Sequence, residues 1–348
     1  MTTIGLTGYG VYLPEGRISG EEIADRSGIP ESVVKEKMGI HEKRICPPDD
    51  DHVTDMGVAA AEAALSDADL DPIEVDMVLY HGSEFKDYVV WSAAADIADR
   101  IGAENAFATE AYALCASAPI AIRQAKAQLL ADHVDSALLV AASREEDLID
   151  YSNQGSSFMF NFGSGASAAV LESNPDGRAR ESDPDGRARA IVHESAAKTD
   201  GSFSRDVIMH AGGSVEPASK ETIERGRHTL DVPDPDGMKE RLGPVSLPSF
   251  LAVTDAALER SGFDRSDLDY VAVTHMKRSF HERLFEELGL DPDADGVYLD
   301  AYGHVQSADQ LIAVDEGLDR GRLDPGDLVC FLGAGTGYTW AATILRWL

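Results

Sequence analysis

The stretch Ala111-Tyr112-Ala113-Leu114-Cys115-Ala116-Ser117-Ala118-Pro119 decides how this chain is read. A single cysteine stands among small and apolar residues. An alanine-rich run of helical composition follows, Ile120 to Leu130. Ser136 to Ala142 then reads as a buried strand. Cys115 is therefore expected where a loop enters a buried helix. The free N–H groups of a first helical turn stabilise a thiolate there, which suits a nucleophile. A packed core cysteine is the plain alternative, since free cysteines are among the most buried residues.

The same grammar extends to both sides. Ile4 to Leu13 reads as a glycine-punctuated strand, Thr54 to Leu65 as an amphipathic helix, Val75 to Tyr80 as a buried strand ending in His81, and Trp91 to Ile101 as a helix. The second half repeats this order. Thr254-Asp255-Ala256-Ala257-Leu258 heads a helix, and Tyr270 to Thr274 is a strand ending in His275. Ala301-Tyr302-Gly303-His304 precedes the helix Ala308 to Leu318, and Asp327 to Leu332 is a buried strand. Runlike strands alternating with helices imply an α/β body with helices on both sheet faces. The duplication implies two similar halves about a pseudo-twofold axis, residues 1–173 and 190–348. It places Cys115 and His304 at equivalent helix entrances. Between the halves, 174–189 carries a tandem repeat, Pro175-Asp176-Gly177-Arg178-Ala179-Arg180 and Pro184-Asp185-Gly186-Arg187-Ala188-Arg189, which reads as a surface turn linker.

Composition bounds the function. The 348 residues, 43 % hydrophobic, suffice for two core-bearing units. No apolar run reaches membrane-spanning length, and the start of the chain has no basic leader, so no membrane partner is expected. Three scattered cysteines form neither a disulfide framework nor a metal knuckle, which fits a reducing cytoplasm and no metal. The 30 Lys and Arg face 62 Asp and Glu, a net charge of −32, with only nine lysines. Such a surface stays hydrated in concentrated salt, the pattern of a halophilic protein, and it disfavours nucleic acid as a partner.

The motifs resemble those of the thiolase superfamily, closest to ketoacyl-ACP synthase III. The resemblance spans nearly the whole chain. Met38-Gly39-Ile40-His41-Glu42-Lys43-Arg44-Ile45, Leu114-Cys115-Ala116-Ser117, Asn161-Phe162-Gly163-Ser164-Gly165-Ala166, Tyr302-Gly303-His304 and Gly333-Ala334-Gly335-Thr336-Gly337-Tyr338-Thr339-Trp340 stand in family order and spacing. The resemblance implies a duplicated βαβαβαββ fold in five layers, αβαβα, and a homodimer paired through the strand near Asn105-Ala106-Phe107-Ala108.

It also implies chemistry. Cys115 would take an acyl group from an acyl-CoA or a phosphopantetheine carrier thioester, and a second acyl or malonyl thioester would condense with it to a 3-oxoacyl product. No tightly bound cofactor is needed, and acyl carrier protein is a candidate partner. His275 matches the family's catalytic histidine. Backbone N–H groups of Cys115 and of the Gly335-Thr336-Gly337 loop match its oxyanion hole. Lys37, Lys277 and Arg278 are candidates for CoA or carrier phosphates. Two residues depart from the pattern. His304 replaces the family's asparagine, and an imidazole can act as a base where asparagine cannot. Glu84, in His81-Gly82-Ser83-Glu84, is similar to the general-base glutamate of HMG-CoA synthases. An acyltransferase or thioesterase that discharges Cys115 to an oxygen, nitrogen or water nucleophile, an HMG-CoA synthase-like condensation, and a non-catalytic subunit are the competing readings.

Overall fold

The computed structural model describes residues 2–131, 134–174 and 188–348. The first half runs through β1 (Ile4–Tyr12), β2 (Arg17–Ser19), α1 (Gly20–Ser27), β3 (Glu42–Arg44), α2 (Val53–Ala68), β4 (Met77–Tyr80), α3 (Ala93–Ile101), β5 (Phe107–Glu110), α4 (Ser117–Leu130), β6 (Ser136–Ser143) and β7 (Gly165–Ser173). The second runs through β8 (Ala190–Thr199), β9 (Ile208–Met209), α5 (Lys220–Glu224), β10 (Leu230–Asp231), α6 (Pro235–Ser261), β11 (Tyr270–Val273), α7 (Arg278–Leu288), α8 (Asp309–Asp319), β12 (Leu328–Gly335) and β13 (Thr339–Trp347).

Among the described residues, nine strands form one mixed sheet in the order β11-β12-β13-β8-β1-β7-β6-β4-β5. In each half a parallel pair sits beside an antiparallel run: β4 lies parallel to β6 and β11 parallel to β12. The halves join where Gly5 and Leu6 of β1 pair with Ile191 and Ala190 of β8. Every residue of β6 is buried, as its unbroken apolar run requires of a strand covered on both faces.

Three groups of helices cover the sheet. α2 and α3 pack on the outer face of the first half, and α6 and α7 on that of the second. α4 and α8 lie between the halves, and their buried Ala121, Ala125, Ile312 and Ala313 share one core with both. The layers therefore run αβαβα. Small residues set the spacing. A side chain at Gly8 or Gly10 would run into the backbone of α2 at Ala64, Ala68 and Ala60, so only glycine lets β1 lie this close to the helix.

Two expectations change. Thr254 does not head a helix; it lies buried well inside α6, its hydroxyl donating to Phe250 O at 3.0 Å. The helix starts at Pro235, where Asp234 caps Gly237 N and proline costs no hydrogen bond, and it continues through Pro244 and Pro248. Two internal prolines read from sequence as a break. Pro30-Glu31-Ser32-Val33-Val34, which reads from sequence as the opening of a short helix, leads instead into a five-residue π-turn, Val33–Lys37. Of the tandem repeat at 174–189, residues 175–187 lie outside the described residues.

Candidate active site

Cys115 sits in a 3₁₀ turn, Leu114–Ala116, that leads into α4. The preceding Leu114 has φ +53°, a left-handed conformation that bulky side chains rarely adopt, and it turns the chain sharply before the cysteine. His304 enters from the other half by an equivalent route. It precedes the 3₁₀ turn Gln306–Ala308 at the head of α8, and its peptide is fixed by His304 N donating to Asn161 O at 2.7 Å and Gly163 N donating to His304 O at 2.9 Å. The Phe162 ring meets the His304 ring edge-on at 5.1 Å.

The two entrances converge. His304 Nε2 lies 3.0 Å from Cys115 Sγ, and His304 Nδ1 lies 2.5 Å from Asp309 Oδ2. All three side chains are buried. Burial alone would lower the pKa of His304, but the Asp309 carboxylate and the Cys115 sulfur together push it well above the ordinary value. Asp309 also accepts from His275 N and Val305 N, both at 2.7 Å.

His275 lies two residues beyond the end of β11 and opens onto the same cavity as Cys115 and His304. Burial, reinforced by His304 and His281, holds its pKa well below the ordinary value, so its ring is neutral. It packs against Tyr298 with ring centroids 4.6 Å apart, and its Nδ1 has no hydrogen-bond partner among the described residues. The site thus holds one histidine in contact with the sulfur and a carboxylate, and one neutral histidine facing open space.

That space is a cavity of about 420 Å³ with Cys115, Phe158, Phe162, Met238, Phe280 and Tyr338 among its apolar walls. Pro235, Met238, Leu242 and Phe250 of α6 line it as well, so the helix that sequence placed too late forms part of its wall. Lys239 from α6 and Lys277 also line it.

The other expected residues divide. Gly335 packs on the nucleophile turn: a side chain there would run into Ala113 O and come within 3.1 Å of Cys115 N. Thr336 lines the cavity and Gly337 has φ +116°. Arg278 is engaged by Glu282 at 2.9 Å and Asp293 at 3.1 Å, and lies over the Tyr298 ring. Lys37 is exposed at the end of the π-turn and does not line the cavity. Glu84 is exposed and does not line it either. The buried carboxyl on that side is Glu145, which accepts from Ser83 Oγ at 2.8 Å and whose pKa burial raises.

Sequence reasoning passed over Asp309, Glu145 and Lys239. A signal existed only for Asp309, an acid five residues after His304 at a helix start. Nothing local marks Glu145, whose neighbours come from loops 62 residues apart. Among the described residues, no group of three or more His, Cys, Asp or Glu is placed to hold a metal ion.

Comparisons with known proteins converge on one family. The model for 3-oxoacyl-[acyl-carrier-protein] synthase III matches residues 110–183, and the model for the C-terminal part of that enzyme matches residues 258–347. The beta-ketoacyl-[acyl-carrier-protein] synthase III of Desulfitobacterium hafniense strain Y51 is 27 % identical over 351 residues, covering 100 % of this chain and 98 % of that protein. The crystal structure of 3-oxoacyl-[acyl-carrier-protein] synthase III from Aquifex aeolicus superposes with a TM-score of 0.80 at 22 % identity, covering 99 % of this chain and 100 % of that one. The acyltransferase ChlB3 superposes with a TM-score of 0.80 at 22 % identity, over 99 % and 98 % of the two chains. At those identities the structures attest the fold. Family models matched over residues 110–183 and 258–347, full-length relatives and the shared five-layered fold together support a ketoacyl-ACP synthase III-like protein of the thiolase superfamily.

Proposed function

We propose that the protein is an acyltransferase that loads an acyl group from a CoA or carrier-protein thioester onto Cys115 and condenses it with a malonyl thioester to a 3-oxoacyl product. The observation that carries this reading is the position of Cys115 Sγ: it lies at an apolar cavity, 3.0 Å from His304 Nε2, with the neutral His275 on the same wall. In the first step Sγ attacks the thioester carbonyl, the leaving thiolate takes up a proton, and N–H groups of Cys115 and the Gly335–Gly337 loop receive the developing oxyanion. In the second, malonyl loses CO2, the neutral His275 donates to the enolate oxygen, and the enolate carbon displaces Cys115. Lys277 and Lys239 at the cavity are the cations for the donor's phosphates, with Arg278 held back by its two carboxylates. Because Glu84 is exposed, decarboxylation rather than Glu84 supplies the carbanion in this reading.

Mass spectrometry after incubation with a panel of acyl-CoAs tests the loading step. A mass increment confined to the Cys115 peptide, and abolished in Cys115→Ala, is expected. Cys46 and Cys330 are built-in controls, since burial pushes their thiols up to about 11 and about 12. A label on either, or none on Cys115 with any acyl-CoA, overturns the reading.

A second reading has its own observation. His304 is an imidazole anchored by Asp309 where the family has an amide, and such a base can activate an oxygen, nitrogen or water acceptor. An acylated Cys115 with no carbon–carbon product from any donor, but an ester, amide or free acid instead, selects it.

The assembly we propose is a homodimer. The edge strand β5 carries Phe107, 49 % exposed, with every residue at least partly open, so the end of the sheet is unpaired in the monomer. Light scattering in molar KCl should give twice the monomer mass, salt being needed because a net charge of −32 repels copies at low ionic strength. The acidic surface fits a salt-adapted enzyme, and the three widely spaced cysteines fit a reducing cytoplasm. No helix among the described residues is long and apolar enough to cross a membrane.

A further inference from the structure

We propose that Asn161 is a further catalytic residue: its carboxamide donates a hydrogen bond to the thioester oxygen of the malonyl donor as that oxygen becomes an enolate, beside His275. The inference deepens the reading of the protein as a malonyl-dependent condensing enzyme and rests on it.

Buried polar atoms are hydrogen-bonded as a rule, so one left open in a cavity wall marks where a ligand completes the bonding. Among the described residues, four buried polar side chains line the cavity at Cys115: Asn161, Thr274, His275 and His304. Two of them are already engaged. Thr274 Oγ1 accepts from Gln310 Nε2 at 3.3 Å and faces Leu332 O and Cys115 O at 3.4 and 3.5 Å. His304 is held at both ring nitrogens, by Asp309 at 2.5 Å and Cys115 Sγ at 3.0 Å, so its ring cannot turn toward a second group. The other two are open. Asn161 Oδ1 and His275 Nδ1 have no hydrogen-bond partner among the described residues, although their side chains belong to residues only 7 % and 5 % exposed. The unmet bonding of this wall is therefore concentrated on one carboxamide and one imidazole.

The backbone holds Asn161 still. His304 N donates to Asn161 O at 2.7 Å, and Gly163 N donates to His304 O at 2.9 Å. The two segments lie in contact: a side chain at Gly303 would come within 2.6 Å of Asn161 O. The buried Lys43 Nζ donates to Phe162 O and fixes the next peptide. A carboxamide carries an acceptor and two donors on ends of nearly equal shape, so a half-turn of the amide presents an N–H where Oδ1 lies. An enolate oxygen only accepts, and it selects that N–H end. Phe162 and Phe280 keep the surroundings apolar, where a preorganised donor to a developing anion is worth most.

The step balances. The bond between the malonyl carboxylate and the α-carbon breaks, CO2 leaves, and the electron pair enters the thioester as an enolate. One N–H of Asn161 and one of His275 receive the charge on oxygen. The enolate carbon then bonds to the acyl carbon on Cys115, the carbon–sulfur bond breaks, and the charge ends on Sγ beside His304 Nε2. One negative charge passes from carboxylate to enolate to sulfur, and no proton is consumed.

The test separates the two half-reactions in the full-length protein. Mass spectrometry follows the loading of Cys115 from acyl-CoA. Product formation with malonyl-CoA, or with malonyl on an acyl carrier protein, gives kcat and KM for the condensation. Asn161→Leu keeps the volume and removes the amide. Its kcat for condensation should fall by about 10²–10³-fold, the worth of one oxyanion donor, with KM for the malonyl thioester within about threefold of wild type. Loading, in which the Asn161 amide takes no part, should also stay within about threefold. Asn161→Asp has the same shape but an ionised carboxylate that only accepts, and it should condense no better than Asn161→Leu. Three outcomes overturn the proposal: an unchanged kcat in Asn161→Leu, a raised KM at unchanged kcat, which is the mark of a plain binding contact, or loading and condensation falling in step, the mark of a packing residue. Wild type that loads Cys115 but releases no CO2 and forms no carbon–carbon product with either malonyl donor would sink the malonyl reading and this proposal together. A condensing wild type with an equally active Asn161→Leu would sink this proposal alone.

Discussion

Ser83 Oγ donates to Glu145 Oε1 at 2.8 Å, and both side chains are buried. Glu84, one residue further on, is exposed. The turn after β4 therefore sends its hydroxyl inward to a carboxyl from a distant loop and its own carboxyl outward.

That division makes opposite predictions for the two glutamates. Glu84→Gln should leave condensation within about threefold of wild type, well short of the 10²–10⁴-fold loss expected when a general base is removed. Glu145→Ala should destabilise the protein by about 1–3 kcal/mol, because the Ser83 hydroxyl is left buried without its partner, and Glu145→Gln should cost less. Steady-state condensation assays and chemical unfolding read the two effects. A 100-fold loss in Glu84→Gln would return that residue to the reaction.

Gly335 is predicted to be irreplaceable. A side chain at this position would press on Ala113 O, lie 2.9 Å from Leu114 Cβ and reach 3.1 Å from Cys115 N. Gly335→Ala should push the nucleophile turn out of register and lower acyl loading by about 10²–10³-fold, the worth of an oxyanion donor. Gly213→Ala, where nothing lies within 4 Å, is the matched control. Equal loading rates in both variants would contradict this account.

Stability should fall in mild acid because of buried histidines. Burial lowers His81 to about 3 and His281 to about 4, and holds His275 well below its ordinary value. An unfolded histidine titrates near 6.5, so from there down to the folded value the unfolded chain binds the extra proton. Each such group therefore removes up to about 1.4 kcal/mol per pH unit as pH drops below 6.5. His304 has the opposite sign: its raised pKa contributes stability in full below about 6.5, lost as pH rises through its folded value. His281 stacks on Phe285 with its Nε2 unpartnered among the described residues, so His281→Phe keeps the packing and removes the titration. Denaturant unfolding at pH 7 and pH 4.5 should show a smaller acid loss in the variant than in wild type. An identical loss in both would refute it.

Much of this molecule is legible one segment at a time. The buried strands, the helices after Cys115 and His304, and the order of the two halves follow from local periodicity, since an apolar run must be covered on both faces wherever it falls. Cys115, His275 and His304 stand out because each ends a strand or opens a helix in a repeated pattern. The start of α6 was hidden because Pro244 and Pro248 break the helical pattern that packing restores.

Residue order alone specifies the α/β duplication and the short list of residues that could carry chemistry. Their partners are set by folding. Asp309 and Glu145 are ordinary acids in an acidic chain until folding brings Asp309 to both histidines and Glu145 to Ser83. Their roles depend on distances of a few ångströms between segments up to 62 residues apart for Glu145 and Ser83, and 189 apart for His304 and Cys115. Electrostatic and hydrogen-bond energies fall off over those distances, whereas the pattern that specifies helix and strand is complete within a dozen residues.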